Sequence, residues 1–131
     1  MNLIEVWRMT DLEKAKGILK GKNQALVIVK DGRTIFQSAS SGINSLLQAV
    51  DKLGGQLSGA SVADRVVGKA AALLLAFSRV ACVYAATLSR KGLRTLRRHE
   101  ISVEYDLLVP EILNKEGNDI CPFEKFTSKM E

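Results

Sequence analysis

Three residues of types that bind or activate ligands stand within six positions of one another near the middle of the chain. Asp64, Gly68 and Lys69 separate a short β-favouring run, which ends at Ala63, from an apolar helix-favouring run that begins at Ala70. The change in residue type predicts a strand that leads directly into a helix. At such a junction the backbone N–H groups of the first helical turn point outward and bind anions. The stretch therefore predicts an anion site, with Asp64 as the helix N-cap and Lys69 as a point charge.

Each of these residues also has a purely structural interpretation. Asp64 could cap the helix and do nothing more, and Gly68 could serve close packing of the helix on the sheet. Lys69 could extend its amine into solvent from an apolar helix. The stretch is not a phosphate loop of the Walker type, because Ala63 stands where that pattern requires glycine.

Cys121 is the second candidate for chemistry. Pro122 is suited to a first helical position, which makes Cys121 the N-cap of a short C-terminal helix, where the helix dipole lowers the pKa of a thiol. Glu124 then falls at the third helical position, as in a capping arrangement. A structural cap that packs the following aromatic residues on the core is the alternative. Cys121 and Lys69 are the only candidate catalytic groups.

Periodicity and turn-forming residues predict an alternation of helices and buried strands. Thr10 and Glu13 form a capping box that predicts a helix beginning at Thr10, and Asp31-Gly32 predicts a hairpin turn. The predicted order is a helix to residue 21, strands 25–29 and 34–37, helix 43–53, strand 60–63, a helix through about Arg79, strand 80–88, helix 89–99, strand 101–107 and a last helix from Pro122. This order predicts an α/β protein, a three-layer α/β/α sandwich with a mixed five-stranded sheet.

Length and composition narrow the class of protein. The chain has 131 residues, of which 47% are hydrophobic and 25% charged, which predicts one globular domain spanning residues 1–131. Its longest apolar run, residues 70–77, is much shorter than the roughly 20 residues of a membrane span. No signal peptide is evident at the N-terminus, so we expect a cytoplasmic protein without a membrane partner. Cys82 lies in a buried-strand pattern, where a free thiol behaves as a small hydrophobe.

The net charge of +5 is concentrated in one segment. Five of the cations, Arg90, Lys91, Arg94, Arg97 and Arg98, lie within nine residues of a predicted helix. This segment, residues 90–98, could form a nucleic-acid or protein-interaction surface. The simpler interpretation is a solvated helix face, because no aromatic residues are interleaved with the cations.

Two segments carry a resemblance to a known family. Residues 64–72, together with residues 114–124 (Asn-Lys-Glu-Gly-Asn-Asp-Ile-Cys-Pro-Phe-Glu), resemble a small prokaryotic family known as domain of unknown function 1893. The order of the elements is similar to the cytidine-deaminase-like fold, and the resemblance extends from about Leu12 to Phe126. It implies a site where two helix N-termini meet, and it adds Ser41, Gly42 and Asn44 at the start of the first of these helices as ligand-binding candidates.

Zinc deaminases place a His- or Cys-x-Glu at the first of these helix starts and a Pro-Cys-x-x-Cys at the second. Here the corresponding stretches, residues 41–44 and 64–68, contain no histidine, cysteine or glutamate. The resemblance therefore implies the fold without the zinc, and we predict no metal ligands, no cofactor and no zinc-dependent deamination.

The sequence thus predicts a deaminase-fold domain that binds an anionic, nucleotide-like small molecule at paired helix N-termini. The predicted binding residues are Ser41, Gly42, Asn44, Asp64, Gly68, Lys69, Cys121 and Glu124. Interaction with a nucleic acid or a protein through residues 90–98 is the alternative. Whether a reaction is catalysed and whether the chain forms a homo-oligomer are left open.

The two cysteines should differ in reactivity. We expect limited alkylation in native buffer, followed by mass spectrometry, to label Cys121 well before Cys82. The rate for Cys121 should reach its plateau below the free-thiol pKa of about 8.5, because a helix N-terminus favours the thiolate. Equal protection of both thiols would make Cys121 a buried structural cap.

Overall fold

The computed structural model describes the backbone of residues 3–40 and 42–111. Within these residues there are four α-helices and five strands. They are α1 (Leu3–Gly21), β1 (Leu26–Lys30), β2 (Arg33–Ser38), α2 (Ile43–Leu53), which is followed by a 3₁₀ turn (Gly54–Leu57), β3 (Ser61–Val67), α3 (Lys69–Phe77), β4 (Cys82–Ser89), α4 (Arg90–Arg98) and β5 (Ser102–Val109). The predicted order of elements is confirmed through β5, and the predicted last helix lies outside the described residues. None of the described helices has the length and apolar character needed to cross a membrane.

The five strands form one mixed sheet, as predicted, and their order in the sheet is β2-β1-β3-β4-β5. β1 is antiparallel to both of its neighbours, β2 and β3, whereas β3, β4 and β5 are mutually parallel. Residues 26–29 of β1 are at most 1% exposed. A strand covered on both faces needs a continuous apolar run rather than alternation, and the sequence Leu-Val-Ile-Val supplies it.

The sheet is the middle of three layers. α1 covers one face, where Ala15 and Leu19 pack with Val27, Ala63 and Tyr84. The other face carries the larger core, to which α2, α3 and α4 all contribute. The predicted α/β/α sandwich is therefore confirmed, and the described residues place one helix on one side of the sheet and three on the other.

Polar contacts hold α1 over β4 and β5. Lys16 pairs with Glu104, and the Lys20 ammonium lies 3.7 Å from the Asp106 carboxylate. The Tyr84 hydroxyl donates a hydrogen bond of 2.5 Å to Asp106. Burial raises the pKa of Tyr84 to about 12, and the hydrogen bond to Asp106 acts in the same direction. The phenol therefore remains protonated, and a donor, throughout the physiological range.

The predicted start of α1 is wrong, whereas the hairpin turn that α1 contacts is confirmed. The helix begins at Leu3, so Thr10 lies inside it and does not cap it. Asp11 is buried and accepts a 3.0 Å hydrogen bond from the backbone N–H of Gly32. Asp31 and Gly32 both have positive φ, 51° and 80°, as a type I′ hairpin turn requires.

β3 and α3 also differ from their predicted limits. β3 continues past Ala63 to Val67, because Val66 and Val67 pair with Thr87 and Leu88 of β4. This pairing extends the strand beyond the point at which residue type alone favours a helix. α3 then ends at Phe77 rather than near Arg79.

Gly92 allows α4 to approach the junction between β3 and α3. A Cβ atom at this position would lie 3.1 Å from the carbonyl oxygen of Val67 and 3.2 Å from that of Gly68. Both neighbours are backbone atoms and cannot rotate away. The absence of a side chain at Gly92 therefore sets how closely α4 packs beside the start of α3.

We expect Gly92→Ala to lower the free energy of unfolding by about 1–3 kcal/mol, because overpacking there outweighs the gain in helix propensity. Gly17, within α1, is the matched control, since a Cβ there meets nothing within 4 Å. Gly17→Ala should raise the free energy of unfolding by roughly 0.5–1 kcal/mol. Denaturant unfolding of both variants checks this, and shifts of the same sign would contradict the close-packing explanation.

Candidate functional site

Three helices begin at one edge of the sheet. β1 is antiparallel to both β2 and β3, so β2 and β3 run in the same direction, as does β4. α2, α3 and α4 each follow one of these strands and pack side by side, α2 on α3 and α3 on α4. Their N-termini therefore lie at the carboxyl edge of the parallel strands, where open α/β sheets bind ligands.

The N-termini of α2 and α3 lack the side-chain caps that helices commonly have. Their N-cap residues, Gly42 and Gly68, offer no side-chain acceptor, and neither first turn contains an acidic residue. α4 differs, since Ser89 at its N-cap accepts a 2.9 Å hydrogen bond from the backbone N–H of Gly92. The first N–H groups of α2 and α3 thus point toward the edge without a side-chain cap, which suits them to an external acceptor.

Gly42 also has a backbone requirement. Its φ of 100° lies in a region that residues with a side chain rarely adopt. Asn44, in the first turn of α2, is exposed. These two predicted residues lie at the start of α2 as expected, whereas Ser41 lies outside the described residues.

Lys69 is the first residue of α3, and only 4% of its surface is exposed. The alternative in which its amine extends into solvent is therefore wrong. The positive charge of Lys69 adds to that of the helix N-terminus, whose first N–H groups also attract anions. Both features favour an anion at the start of α3.

Asp64 is not the N-cap of α3, so that prediction is wrong. It lies within β3, three residues before the strand ends, and Gly68 occupies the cap. Its pairing partners Leu26 and Ala85 both belong to the core on the side of α2–α4, so the Asp64 side chain faces that layer.

The environment of Asp64 changes its protonation. Burial of the carboxyl raises its pKa to about 7, and backbone N–H groups of Val66 and Arg65 offset part of this effect. The contact from the Val66 N–H to Oδ1 is long, at 3.4 Å. Near neutral pH the carboxyl is therefore present in both forms, one that accepts hydrogen bonds and one that also donates.

Serine side chains order the segment before α2. Ser38 ends β2 in the same row of the sheet as Asp64, since both are partners of Leu26. The hydroxyls of Ser38 and Ser45 lie 3.0 Å apart, and Ser45 also donates a 2.6 Å hydrogen bond to the carbonyl oxygen of Ser40. Ser45 is not among the residues predicted from the sequence. Its signal is that Ala49 follows four residues later, which places Ser45 on the buried side of α2.

Arg65 lies beside Asp64 but performs a different task. Its Nε donates a 2.6 Å hydrogen bond to the carbonyl oxygen of Gln24, and Nη2 donates one of 2.9 Å to Oδ1 of Asn23. Nη2 also approaches the carbonyl oxygen of Leu19, near the end of α1. Arg65 therefore stabilises the C-terminus of α1 and the loop that follows it.

The structure thus places Gly42, Asn44, Asp64, Gly68 and Lys69 along one sheet edge. The other predicted site residues, Cys121 and Glu124, lie outside the described residues. Cys82 is buried, as its sequence context predicted.

The helix starts do not fit a catalytic zinc ion. Gly42, Ile43 and Asn44 begin α2, and Gly68 and Lys69 begin α3, and none of these is a usual zinc ligand. Among the residues that the structure describes, no three His, Cys, Asp or Glu side chains form a group that could hold a metal ion.

Comparison with known proteins gives one extensive match. Residues 14–131 match the family model described as a domain of unknown function (DUF1893). A DUF1893 family protein from Thermotoga maritima has a crystal structure that is similar with a TM-score of 0.85. It is 32% identical, and the match covers 92% of this chain and 81% of that chain. No curated protein sequence matches the chain.

Deaminases and related proteins are more distant structural matches. RibD from Acinetobacter baumannii has a TM-score of 0.53 and 25% identity, over 79% of this chain and 35% of that chain. The dCMP deaminase of the cyanophage S-TIM5 has a TM-score of 0.53 and 15% identity, over 80% of this chain and 99% of that chain. These similarities confirm the predicted cytidine-deaminase-like fold.

The raised pKa of Asp64 predicts a pH-dependent loss of stability. Below about pH 3.8 the carboxyl is protonated in both states, and between 3.8 and about 7 it is ionised only in the unfolded chain. The free energy of unfolding of the wild type, relative to Asp64→Asn, should therefore fall as pH rises through this window, by up to about 1.4 kcal/mol per pH unit. It should level off above pH 7. Denaturant unfolding of both proteins from pH 4.5 to 8.5 measures the difference, and a constant difference would contradict the shift.

Proposed function

This chain belongs to the DUF1893 family, and from that premise we propose that it binds a small anionic, nucleotide-like molecule at the N-termini of α2 and α3. One observation carries the proposal. Two helices without side-chain caps begin at the same sheet edge, and one of them has a buried lysine as its first residue. Backbone N–H groups and a lysine ammonium are the donors that phosphate and carboxylate groups accept in proteins.

Asp64 suggests what the rest of the ligand looks like. A free phosphate next to a carboxylate would be repelled, so the anionic group belongs at the helix starts and a different part of the ligand belongs at Asp64. A carboxyl whose pKa is about 7 can accept from an amine or ring N–H and can donate to a ring nitrogen or carbonyl oxygen. A heterocyclic base offers such groups, which is why we propose a nucleotide-like ligand.

The distant structural matches support this ligand class by analogy. One of them is a dCMP deaminase, a protein whose name states a pyrimidine nucleotide. Fold alone does not transfer function, so the analogy adds only to the chemistry of Lys69 and Asp64. The proposal concerns binding, and Lys69 and Cys121 stay the predicted candidates for any reaction.

A ligand-dependent stability assay tests the proposal. The probes are 5′-nucleoside monophosphates, the corresponding nucleosides and inorganic phosphate, each added to the wild type at neutral pH. We expect a monophosphate at 100 times its dissociation constant to raise the free energy of unfolding by about 2.7 kcal/mol. Nucleosides should have much less effect, because they lack the anion that Lys69 and the helix starts bind.

Lys69→Gln is the decisive variant, and Lys52→Gln is its control. Lys52 is exposed in the last turn of α2, so its replacement removes the same charge away from the edge. The nucleotide effect should disappear in Lys69→Gln and persist in Lys52→Gln, with isothermal titration below each melting temperature separating binding from stability. If no anionic probe stabilises the wild type, or if Lys69→Gln responds as the wild type does, the proposal is wrong.

A further inference from the structure

α4 carries the whole net charge of the chain. Its five cations equal the net charge of +5, because the other 14 basic residues are balanced by 14 acidic ones. The structure confirms that the predicted basic segment is a helix, α4. None of its residues belongs to the proposed anion site. A concentration of one sign of charge on nine residues creates a local potential that attracts anionic partners.

The cations lie on the side of α4 that faces away from the core. Leu93, Thr95 and Leu96 are buried, whereas Arg90, Arg94 and Arg97 are exposed. At 100° per residue these three arginines fall within about 60° of one another. They form a straight row, spaced by about 6 and 4.5 Å along the helix axis. We call this row the arginine surface.

Acidic side chains do not neutralise the arginine surface within the described part of the chain. The ion pairs found there involve Lys16 and Lys20 on the opposite face of the sheet. α3, the helix packed beside α4, contains no acidic residue. Within the described residues, Arg90, Arg94 and Arg97 thus form no ion pair with an acidic side chain.

An aromatic side chain, that of Tyr105, lies on the side of the sheet that α4 covers. Tyr105 lies on β5, the edge strand against which α4 packs. Its pairing partner Ala85 and its neighbour Val103, two residues away, both contact the core beneath α2–α4. Tyr105 therefore points to the side of α4, and it remains 36% exposed.

We propose that the arginine surface and Tyr105 together bind single-stranded nucleic acid. A row of guanidinium groups can follow the phosphates of one strand, and a partly exposed tyrosine ring can stack on an unpaired base. A duplex offers no free base face to Tyr105, and an acidic protein has no base to stack there. This surface lies on the outer side of α4 and includes none of the residues of the proposed anion site.

Fluorescence anisotropy with labelled U12 RNA, dT12 DNA, a 12-base-pair DNA duplex and a polyglutamate peptide tests this proposal. We expect both single strands to bind the wild type more tightly than the duplex and the peptide do. Three phosphate contacts should give a log–log salt dependence with a slope of about −2, since each contact contributes roughly −0.7 in single strands. The ratio of RNA to DNA affinity identifies which single strand is preferred.

Two variants that each remove three positive charges distinguish binding at the arginine surface from general electrostatic attraction. Replacing Arg90, Arg94 and Arg97 by Gln should weaken U12 binding at least about tenfold at 0.1 M salt and bring the slope near zero. The control replaces Lys22, Arg33 and Lys52 by Gln, which removes three exposed cations from elsewhere and should leave the slope unchanged. Arg94→Gln alone should reduce the slope by about 0.7, which keeps the test valid if the triple variant does not fold.

Tyr105 provides a readout that charge alone would not move. Tyr105→Ser should weaken U12 binding about fivefold or more at an unchanged salt slope, and Tyr105→Phe should bind as the wild type does. Absence of single-strand binding at 0.05 M salt would overturn the proposal. An equal loss of U12 affinity in the control triple variant would also overturn it. The same holds if polyglutamate binds as tightly as U12 and Tyr105→Ser has no effect on U12 binding.

Discussion

The site and the layers of this molecule depend on the pairing of one strand, β1. It is antiparallel to both neighbours and almost completely buried, so it forces β2 and β3 to run in the same direction. Only then do the helices that follow these strands begin at a common edge. Had β1 been an edge strand, Gly42 and Gly68 would have no reason to lie at the same side of the sheet. The apolar run of residues 26–29 buries β1 between β2 and β3 and thereby determines that α2 and α3 begin at the edge that contains Asp64 and Lys69.

That edge violates the rules that stabilise ordinary helices and strands. Lys69 faces the unfavourable end of a helix dipole, Asp64 places a carboxyl against an apolar layer, and two N-caps are glycine. Burial of the Asp64 carboxyl costs stability, and the glycine caps leave α2 and α3 without the side-chain acceptor that Ser89 supplies to α4. Departures of this kind from local rules are concentrated at functional sites in natural proteins.

The sequence predictions were accurate where they depend on neighbouring residues and less accurate where they depend on partners that are distant in the sequence. The turn at Asp31-Gly32 and the burial of Cys82 depend on local residue types, and both are confirmed. The cap assigned to Asp64 is wrong because pairing with β4 extends β3, and no local preference reports a partner strand. Tyr105 follows α4 closely along the chain, but the face of the sheet on which it lies depends on its pairing with Ala85 of β4, which no local preference reports. The order of the elements predicted the three-layer sandwich and the family resemblance predicted the deaminase-like fold, whereas the side-chain geometry at the edge required the structure.

Arg65 and Asp64 are consecutive residues of β3 whose side chains act on opposite faces of the sheet. One fixes the end of α1 through Gln24 and Asn23, and the other faces the layer of α2–α4. Because a strand residue cannot rotate without turning its neighbour, the α1 layer holds the orientation of the carboxyl on the far side. β3 therefore serves as a rigid crosslink through the thickness of the protein. The contacts that end α1 and the carboxyl at the proposed anion site are thus separated by a single peptide bond of β3.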